Sequence, residues 1–348
     1  MSGTLLRLAC TATIAAQVAL APVPALAAPE PQRTMAGLLT DLQQLYRQAE
    51  QATETYNATA EKLTAQRAEV KRLDGELATA RLALKGSQGD AGRLAREQYQ
   101  NSSDFSVYVR VFLARDPQQA LDEGHVIGRV AGERAATLDR LTGAEKRADA
   151  LATSARKALD TQLTLAAKQK KQRDDVTRRL SDVERLLASL TPEQRGEVSQ
   201  LEQDGVADAQ RRLTGSGALG DDDRPASAEG GRAIRYALDQ LGKPYRWGAV
   251  GPASFDCSGL TSRAWARAGT PIPRTSQEQW ARLPHVPLNA LRPGDLVIYF
   301  PEATHVALYL GDGKVVQAPR TGDTVKISPI AANPVLGAVR PDAAPRRL

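Results

Sequence analysis

Two seven-residue periodicities constrain this chain more than any other feature. In the first, Leu42, Ala49, Tyr56, Leu63, Val70, Leu77 and Leu84 form one column, and Leu45, Ala52, Leu73 and Ala80 form another three residues on. Thr59 and Gln66 interrupt the second column. In the other repeat, Leu138, Ala152, Leu159, Ala166, Leu180 and Leu187 share a column, and Leu141, Ala148, Ala155, Val176, Val183 and Leu190 share its companion. Glu145, Gln162, Gln169 and Arg173 fall on that seam and weaken it. Apolar positions repeating at this spacing, flanked by charge, predict long helices of the coiled-coil type over 36–200. Two such runs with a broken segment between them read most simply as an antiparallel hairpin. Pairing between chains remains the alternative, because the pattern alone fixes neither partner nor direction.

The segment between the runs contains LKGSQGD (84–90) and then an apolar cluster of Phe105, Val107, Tyr108, Val111, Phe112 and Leu113. Asp116-Pro117 carries a helix-start signal. The expectation for 87–133 is an insert of short helices at one end of the hairpin, packed back on it or offered to a partner. Periodicity is lost over 203–230, where LTGSGALGDDDRPASAEGG has the composition of a flexible linker. All three tryptophans, Trp247, Trp265 and Trp280, follow it. A compact domain is therefore expected over 231–348, its core filling about 110 residues, enough for independent burial.

At the other end, MSGTLLRLACTATIAAQVALAPVPALAAPEP reads as an export signal over 1–28. Arg7 precedes a mostly apolar run, Pro22 and Pro24 break it, and Ala25-Leu26-Ala27 fits a small-x-small cleavage site. The run is too short for a membrane span, which needs about 20 apolar residues. Cys10 lies too early for a lipid-bearing cysteine. The net charge of +6 is compatible with an anionic surface such as a cell wall. No basic cluster is interleaved with aromatics, which argues against nucleic acid.

Removal of the signal would leave one cysteine, Cys257, in FDCSGL (255–260). Exported proteins usually hold cysteines in pairs, so a single one is an intermolecular bridge, an inert buried thiol or a nucleophile. One thiol excludes metal sites of the paired-cysteine kind, and no metal or organic cofactor is implied. After Cys257, Leu260, Ala264, Trp265 and Ala268 repeat at helical spacing and Gly269 ends the run. The cysteine thus stands at a helix N-terminus, where free N–H groups and the dipole favour a thiolate, and its polar neighbours Asp256 and Ser258 count against burial. Such a nucleophile needs a base. The chain has three histidines. His125 belongs to the helical insert and His285 to a Pro-flanked loop, LPHVPLN. His305 opens the strand of ATHVALYLGDG, and strands hold side chains better than loops. His305 is the first candidate and His285 the second.

HVALYL-GDG-KVVQAP reads as a β-hairpin. A three-residue loop, Gly311 to Gly313, would pair Leu310 with Lys314. Gln317 would then lie opposite Ala307, on the face of His305 and within its reach. A two-residue turn of Asp312 and Gly313 would pair Gly311 with Lys314 and turn Gln317 away. The three-residue loop is expected, with Gln317 orienting the imidazole. LRPGDLVIYF (291–300) is a turn and a buried strand, and 324–328 and 336–340 read as further short strands. A helix, a second helix bearing the cysteine and several antiparallel strands make the domain α+β.

GKPYRWG, FDCSGLTSRAW, PRTSQEQ, LRPGDLVIYF and THVALYLGDGKVVQAP, in this order, resemble the NlpC-type papain-like cell-wall endopeptidases over about 231–340. The resemblance implies a papain-like domain with an antiparallel sheet. It also implies hydrolysis of bacterial peptidoglycan stem peptides, commonly between D-glutamate and a diamino acid. By the same resemblance Cys257 is the nucleophile, His305 the base and Gln317 the orienting residue. The third position is often histidine in that family, so glutamine bears on rate rather than on reaction type. Tyr245 matches a tyrosine lining the cleft, and Asp256, Ser258, Arg274 and Ser276 are candidates for peptide contact. The helical region resembles the coiled coils of secreted hydrolases that are held inactive until a membrane division complex engages them. A secreted, wall-associated thiol protease regulated or docked by its coil is therefore expected. A non-catalytic wall-binding adaptor, or an amidase or acyltransferase on the same fold, is the alternative.

Overall fold

A computed structural model describes residues 34–100, 117–220 and 224–343. Residues 35–348, so far as described, form one compact unit. The export signal expected at 1–28 and the apolar cluster at 105–113 lie outside the described residues.

Two long helices, α1 (Met35–Gln100) and α2 (Pro117–Ser189), pack side by side. Leu38 and Leu42 meet Val183 and Leu190, whereas Leu73 and Leu77 meet Ala155 and Ala158. Contacts that run in opposite directions along the two helices make the pair an antiparallel hairpin within one chain. Leu42, Ala49, Leu63, Leu73, Leu77 and Ala80 of α1 are buried, as are Ala148, Ala155, Val176, Val183 and Leu190 of α2. In the α2 column that begins with Leu138, Leu138 and Leu159 are exposed, whereas Ala152 and Leu187 are half-buried and pack at the edge of the seam. Gln66, an interruption in the pattern, donates to the Ala158 carbonyl at 2.9 Å and so crosses the seam as a polar clasp.

The expected insert of short helices is absent from the described part of 87–133. Helix α1 runs unbroken through Gly86 and Gly89 to Gln100, and α2 begins at Pro117. An interior glycine costs roughly 1 kcal/mol relative to alanine, which the strong helix formers on either side (Ala, Leu, Lys, Arg, Gln) offset. The segment 203–230 also departs from its expected character as a linker. It is helical to Gly215, as the end of α3 (Pro192–Gly215), and again from Ala228 in α4 (Ala228–Leu238). A reciprocal capping box starts α3: Thr191 Oγ1 accepts from the Gln194 N–H, and Gln194 Oε1 accepts from the Thr191 N–H. Val198 at the front of α3 packs with the hairpin, and Leu213 near its end packs on the C-terminal sheet. Gln210 pins that end, donating to the Gly313 carbonyl and accepting from the Ala331 N–H.

The C-terminal part is α+β. After α4 come α5 (Cys257–Ala268), α6 (Ser276–Arg282) and six antiparallel strands: β1 (His285–Val286), β2 (Leu296–Tyr299), β3 (His305–Gly311), β4 (Lys314–Gln317), β5 (Lys326–Pro329) and β6 (Val335–Val339). Their order in the sheet is β1-β6-β2-β3-β4-β5. Strand β2 is buried at every position, as its unbroken apolar run requires. One face of the sheet, through Leu296, Ile298, Val306, Leu308 and Val316, packs against Ala233 and Ala237 of α4 and Leu260, Ala264 and Trp265 of α5. This layer fixes the start of α5 against the start of β3, which places Cys257 and His305 at one end of the core.

Candidate active site

Cys257 is the first residue of α5, and Asp256 is its N-cap. Asp256 Oδ1 accepts from the Gly259 N–H at 2.6 Å, satisfying one of the helix's free donors. Gly259 has to be glycine, because an added Cβ would stand 2.2 Å from the Ala249 carbonyl oxygen. The motif Asp-Cys-Ser-Gly is thus a cap, a buried helix start that carries the sulfur, and a close approach of two backbones. Asp256 also forms a buried ion pair with Arg274, Nη2 to Oδ2 at 2.6 Å, and Arg274 Nη1 donates to Ser258 Oγ at 2.8 Å.

On the facing strand, His305 Nε2 donates to Gln317 Oε1 at 2.7 Å. An amide oxygen can only accept, so the proton sits on Nε2 and the lone pair on Nδ1. Cys257 and Val306 pack in the same cluster, and the Val306 N–H favours the Cys257 thiolate. The cysteine therefore borders the strand at the residue next to His305. Tyr245 is buried beside it, and its phenol is held well above the ordinary range by burial and then by the Cys257 charge. His285 lies on β1, three strands away from β3, stacked on Trp280 with ring centroids 3.8 Å apart. His125 lies on α2 and is exposed.

The hairpin that joins β3 to β4 differs from the expected one. Gly311 pairs with Lys314 across a two-residue turn of Asp312 and Gly313, both at positive φ, as a turn of the I′ kind requires. Tyr309 nevertheless pairs with Val315, so a bulge at Leu310 absorbs one residue. That bulge restores the register in which Leu308 faces Val316, and by continuation Gln317 faces Ala307. The loop is one residue shorter than expected, but a bulge performs the shift that the longer loop would have made.

The expected low-pKa thiolate is not what this arrangement holds. Cys257 is 2% exposed, and its pKa is raised well above the ordinary value, by burial first and then by Glu54, Asp256 and Glu50. His305 is lowered to about 4, chiefly by burial. Thiol and imidazole are both neutral. The cause is a set of side chains on α1 that the sequence reading did not single out. Glu54, 1% exposed, accepts from Ser258 Oγ at 2.8 Å, from the Ser276 N–H at 2.7 Å and from Ser276 Oγ at 3.1 Å. Asn57 Nδ2 donates to Asp256 Oδ2 at 3.1 Å. Glu50 Oε1 lies 3.5 Å from His305 Nδ1, and burial raises Glu50 well above the usual carboxylate range. Tyr56, placed in the heptad column by the sequence, instead meets Trp247 edge-to-face at 5.1 Å. Tyr46 lies under Arg320, whose Cζ is 4.4 Å from the ring centroid.

Glu50, Glu54 and Asn57 follow one another at four and three residues and so share one helical face, adjacent to the seam. All the residues expected to contact peptide are found together: Asp256, Ser258, Arg274 and Ser276 surround the Glu54 carboxylate, and Tyr245 borders Cys257. Among the described residues no group of three His, Cys, Asp or Glu side chains could hold a metal ion.

The decisive comparison is with a protein family. Residues 242–338 match the family model described as NlpC/P60 family. This segment is an NlpC/P60 domain. A "probable endopeptidase" of Corynebacterium glutamicum is 41% identical over 116 residues, which is 33% of this chain and 56% of that protein. "Peptidoglycan endopeptidase RipA" of Mycolicibacterium smegmatis is 39% identical over 111 residues, 28% of this chain and 22% of RipA. The chain spans about half the length of the Corynebacterium relatives it matches. Among solved structures, RipD of Mycobacterium tuberculosis, described as a non-catalytic NlpC/p60 domain protein adapted to peptidoglycan binding, is 35% identical. The match covers 33% of this chain and 98% of RipD, with a TM-score of 0.30.

Proposed function

We propose that this protein is a cysteine endopeptidase that hydrolyses peptidoglycan stem peptides, at the D-glutamyl to diamino acid bond, and that α1 holds it closed. The observation that carries the catalytic reading is the His305–Gln317 hydrogen bond, which leaves Nδ1 as the free base beside the strand that Cys257 touches. The names of the relatives support the substrate class.

Once α1 withdraws, the Cys257 thiol gives its proton to His305 Nδ1 and the sulfur attacks the scissile carbonyl carbon. The oxyanion faces the start of α5, where backbone N–H groups including that of Cys257 can donate to it. The imidazolium passes its proton to the leaving nitrogen, the C–N bond breaks, and a thioester remains. Water then gives a proton to Nδ1 as its oxygen attacks the thioester, and the thiol and a free carboxylate are released. Gln317 holds the tautomer throughout.

In the closed form Glu50 caps Nδ1, Glu54 fills the polar recess of Ser258, Ser276 and Arg274, and Cys257 stays a thiol. The enzyme works outside the cytoplasm, on the wall, and a membrane division complex that engages the hairpin is the candidate releasing partner. Mass spectrometry of muropeptides treated with wild type, Cys257→Ala and Glu54→Arg tests the reading. New D-glutamyl termini, more abundant with Glu54→Arg and absent with Cys257→Ala, are expected. Binding without products would instead favour a wall-binding adaptor, and products cut elsewhere an amidase or acyltransferase.

A further inference from the structure

Arg320 stands three residues beyond Gln317, yet the partners of its guanidinium come from outside the NlpC/P60 domain. Nη1 and Nη2 make a bidentate pair with the Glu202 carboxylate of α3 at 2.7 and 2.8 Å. Its remaining face is covered by Tyr46 of α1. The nearby carboxylate of its own domain, Asp323, is engaged by Lys326 Nζ at 2.5 Å. The Arg320 side chain is only 29% exposed even so. Tyr46, which covers it, stands about one helical turn from Glu50, the carboxyl 3.5 Å from His305 Nδ1, so the guanidinium lies toward the edge of the reaction centre.

Besides Glu50 at the imidazole, the helical region thus supplies one carboxylate to each of two arginines of the cleft. Glu54 sits with Arg274, Ser258 and Ser276, and Glu202 sits with Arg320. Along α1 the Arg274 side is met by Glu54, the imidazole by Glu50, and Arg320 by Tyr46. Eight residues of helix separate the first from the last, about 12 Å at the usual rise. An extended peptide covers that distance in roughly four residues. The two arginines therefore flank the Cys257–His305 pair at a spacing a short stem peptide can bridge.

Chemistry decides which flank is which. The acyl carbon bonds to the sulfur at the start of α5, on the Arg274 side. The leaving nitrogen must face the imidazole that protonates it, so the leaving residue continues along His305, Gln317 and Arg320. We infer that Arg320 is a specificity-determining residue that binds a free carboxylate on the side chain of the leaving diamino acid, a role that Glu202 fills in the closed form. The inference rests on the endopeptidase reading above and adds a preference for a diamino diacid over a simple diamine such as lysine. The α-carboxyl of that residue is amide-linked in the polymer, which leaves the side chain as the source of charge.

Two synthetic stem peptides test this with full-length Glu54→Arg protein. Both carry a γ-D-glutamyl bond to a diaminodicarboxylic acid whose α-carboxyl is capped by D-alanine amide. In one the side-chain carboxylate is free, and in the other it is amidated. The free acid is expected to be cleaved with at least a tenfold higher kcat/KM, mostly through KM. Adding Arg320→Gln is expected to bring the ratio of the two peptides to about one, and Arg320→Lys to keep part of it. A ratio near one in the parent, or a ratio unchanged by Arg320→Gln, overturns the inference. If neither peptide is cleaved the endopeptidase reading fails instead. Calorimetric binding of both peptides to Cys257→Ala, Glu54→Arg protein then decides the role of Arg320, equal affinities counting against it.

Discussion

Glu54 and Ser258 lie 204 residues apart in the chain and share a 2.8 Å hydrogen bond at the floor of the cleft. One carboxylate on a long helix therefore reaches the residue next to Cys257. Ser276 and its backbone N–H complete the cradle, and Arg274 offers charge from behind Ser258. A buried carboxyl of this kind is costly unless every lone pair finds a donor. Here the donors belong to the other end of the chain, so helix and domain are held together at the site that would perform the chemistry.

Removing that carboxylate is expected to activate the enzyme. Glu54→Ala loses the three hydrogen bonds that Glu54 accepts from the domain, together worth about 2–4 kcal/mol once the cost of burying the carboxyl is taken off. A closure weakened by about 2–4 kcal/mol raises the open fraction by about 30- to 1,000-fold while the closed form still dominates. Muropeptide turnover by full-length Glu54→Ala should rise accordingly, and Glu54→Gln, which keeps the shape, should rise less. Turnover equal to wild type in both variants would mean that α1 does not limit access.

Closure should weaken as pH rises from about 6.5 to 8. Burial, then Asp256, raises Glu54 to about 7 from an ordinary 4.5, and Glu50 is raised as well. A carboxyl that binds its proton more tightly in the closed form stabilises closure fully below about 4.5, and the benefit is lost as pH climbs through about 7. His305, lowered to about 4 from 6.5, acts in the opposite sense, but only between those two values. Above pH 6.5 the carboxyls decide the slope. Protease nicking of α1 followed against pH should show the helix freed at the alkaline end. Glu54→Gln should flatten the profile, and a profile that steepens toward acid would contradict the assignment.

The buried pair of Asp256 and Arg274 is expected to carry stability rather than turnover alone. Asp256→Asn keeps an N-cap for α5 but leaves the guanidinium, 11% exposed, without its counter-charge. Breaking a buried pair from one side costs about 3–5 kcal/mol, so the thermal midpoint should fall by several degrees. A midpoint within a degree of wild type would mean that Ser258 and Glu54 alone satisfy Arg274.

The sequence made some of this legible and hid the rest for physical reasons. Cys257 and His305 could be singled out as candidates because the chain has few cysteines and histidines, and α5 could be found because its apolar spacing and Gly269 are local signals. Helix α1 was legible as a helix, since seven-residue spacing needs no tertiary context. Its second contact was not, because Glu50, Glu54 and Asn57 look like any solvated helical face until a partner covers them. Residues 203–215 are helical against expectation for a related reason. Their composition is that of a linker, and the signal that makes them helical lies upstream in the Thr191–Gln194 cap. The bulge at Leu310 leaves no mark on residue types, yet it decides where Gln317 points.

Gln317 offers the most discriminating test of how the imidazole is used. Its amide oxygen holds Nε2–H at 2.7 Å, which reserves Nδ1 for the proton that leaves Cys257. Loss of the acceptor frees the ring to change tautomer or rotate, and the fraction of imidazole in the productive state falls. In a Glu54→Arg background, Gln317→Ala should lower kcat by about 10- to 100-fold with KM nearly unchanged, since an orienting group acts on the chemical step. Gln317→His, with a ring nitrogen able to accept the same proton, should recover much of the rate and gain a dependence on pH as the second imidazole titrates. Gln317→Leu separates orientation from packing, filling the space without an acceptor, and should stay as slow as alanine. Equal rates for leucine and glutamine would show that Gln317 only fills volume behind His305, and the base would then have to be held by the strand alone.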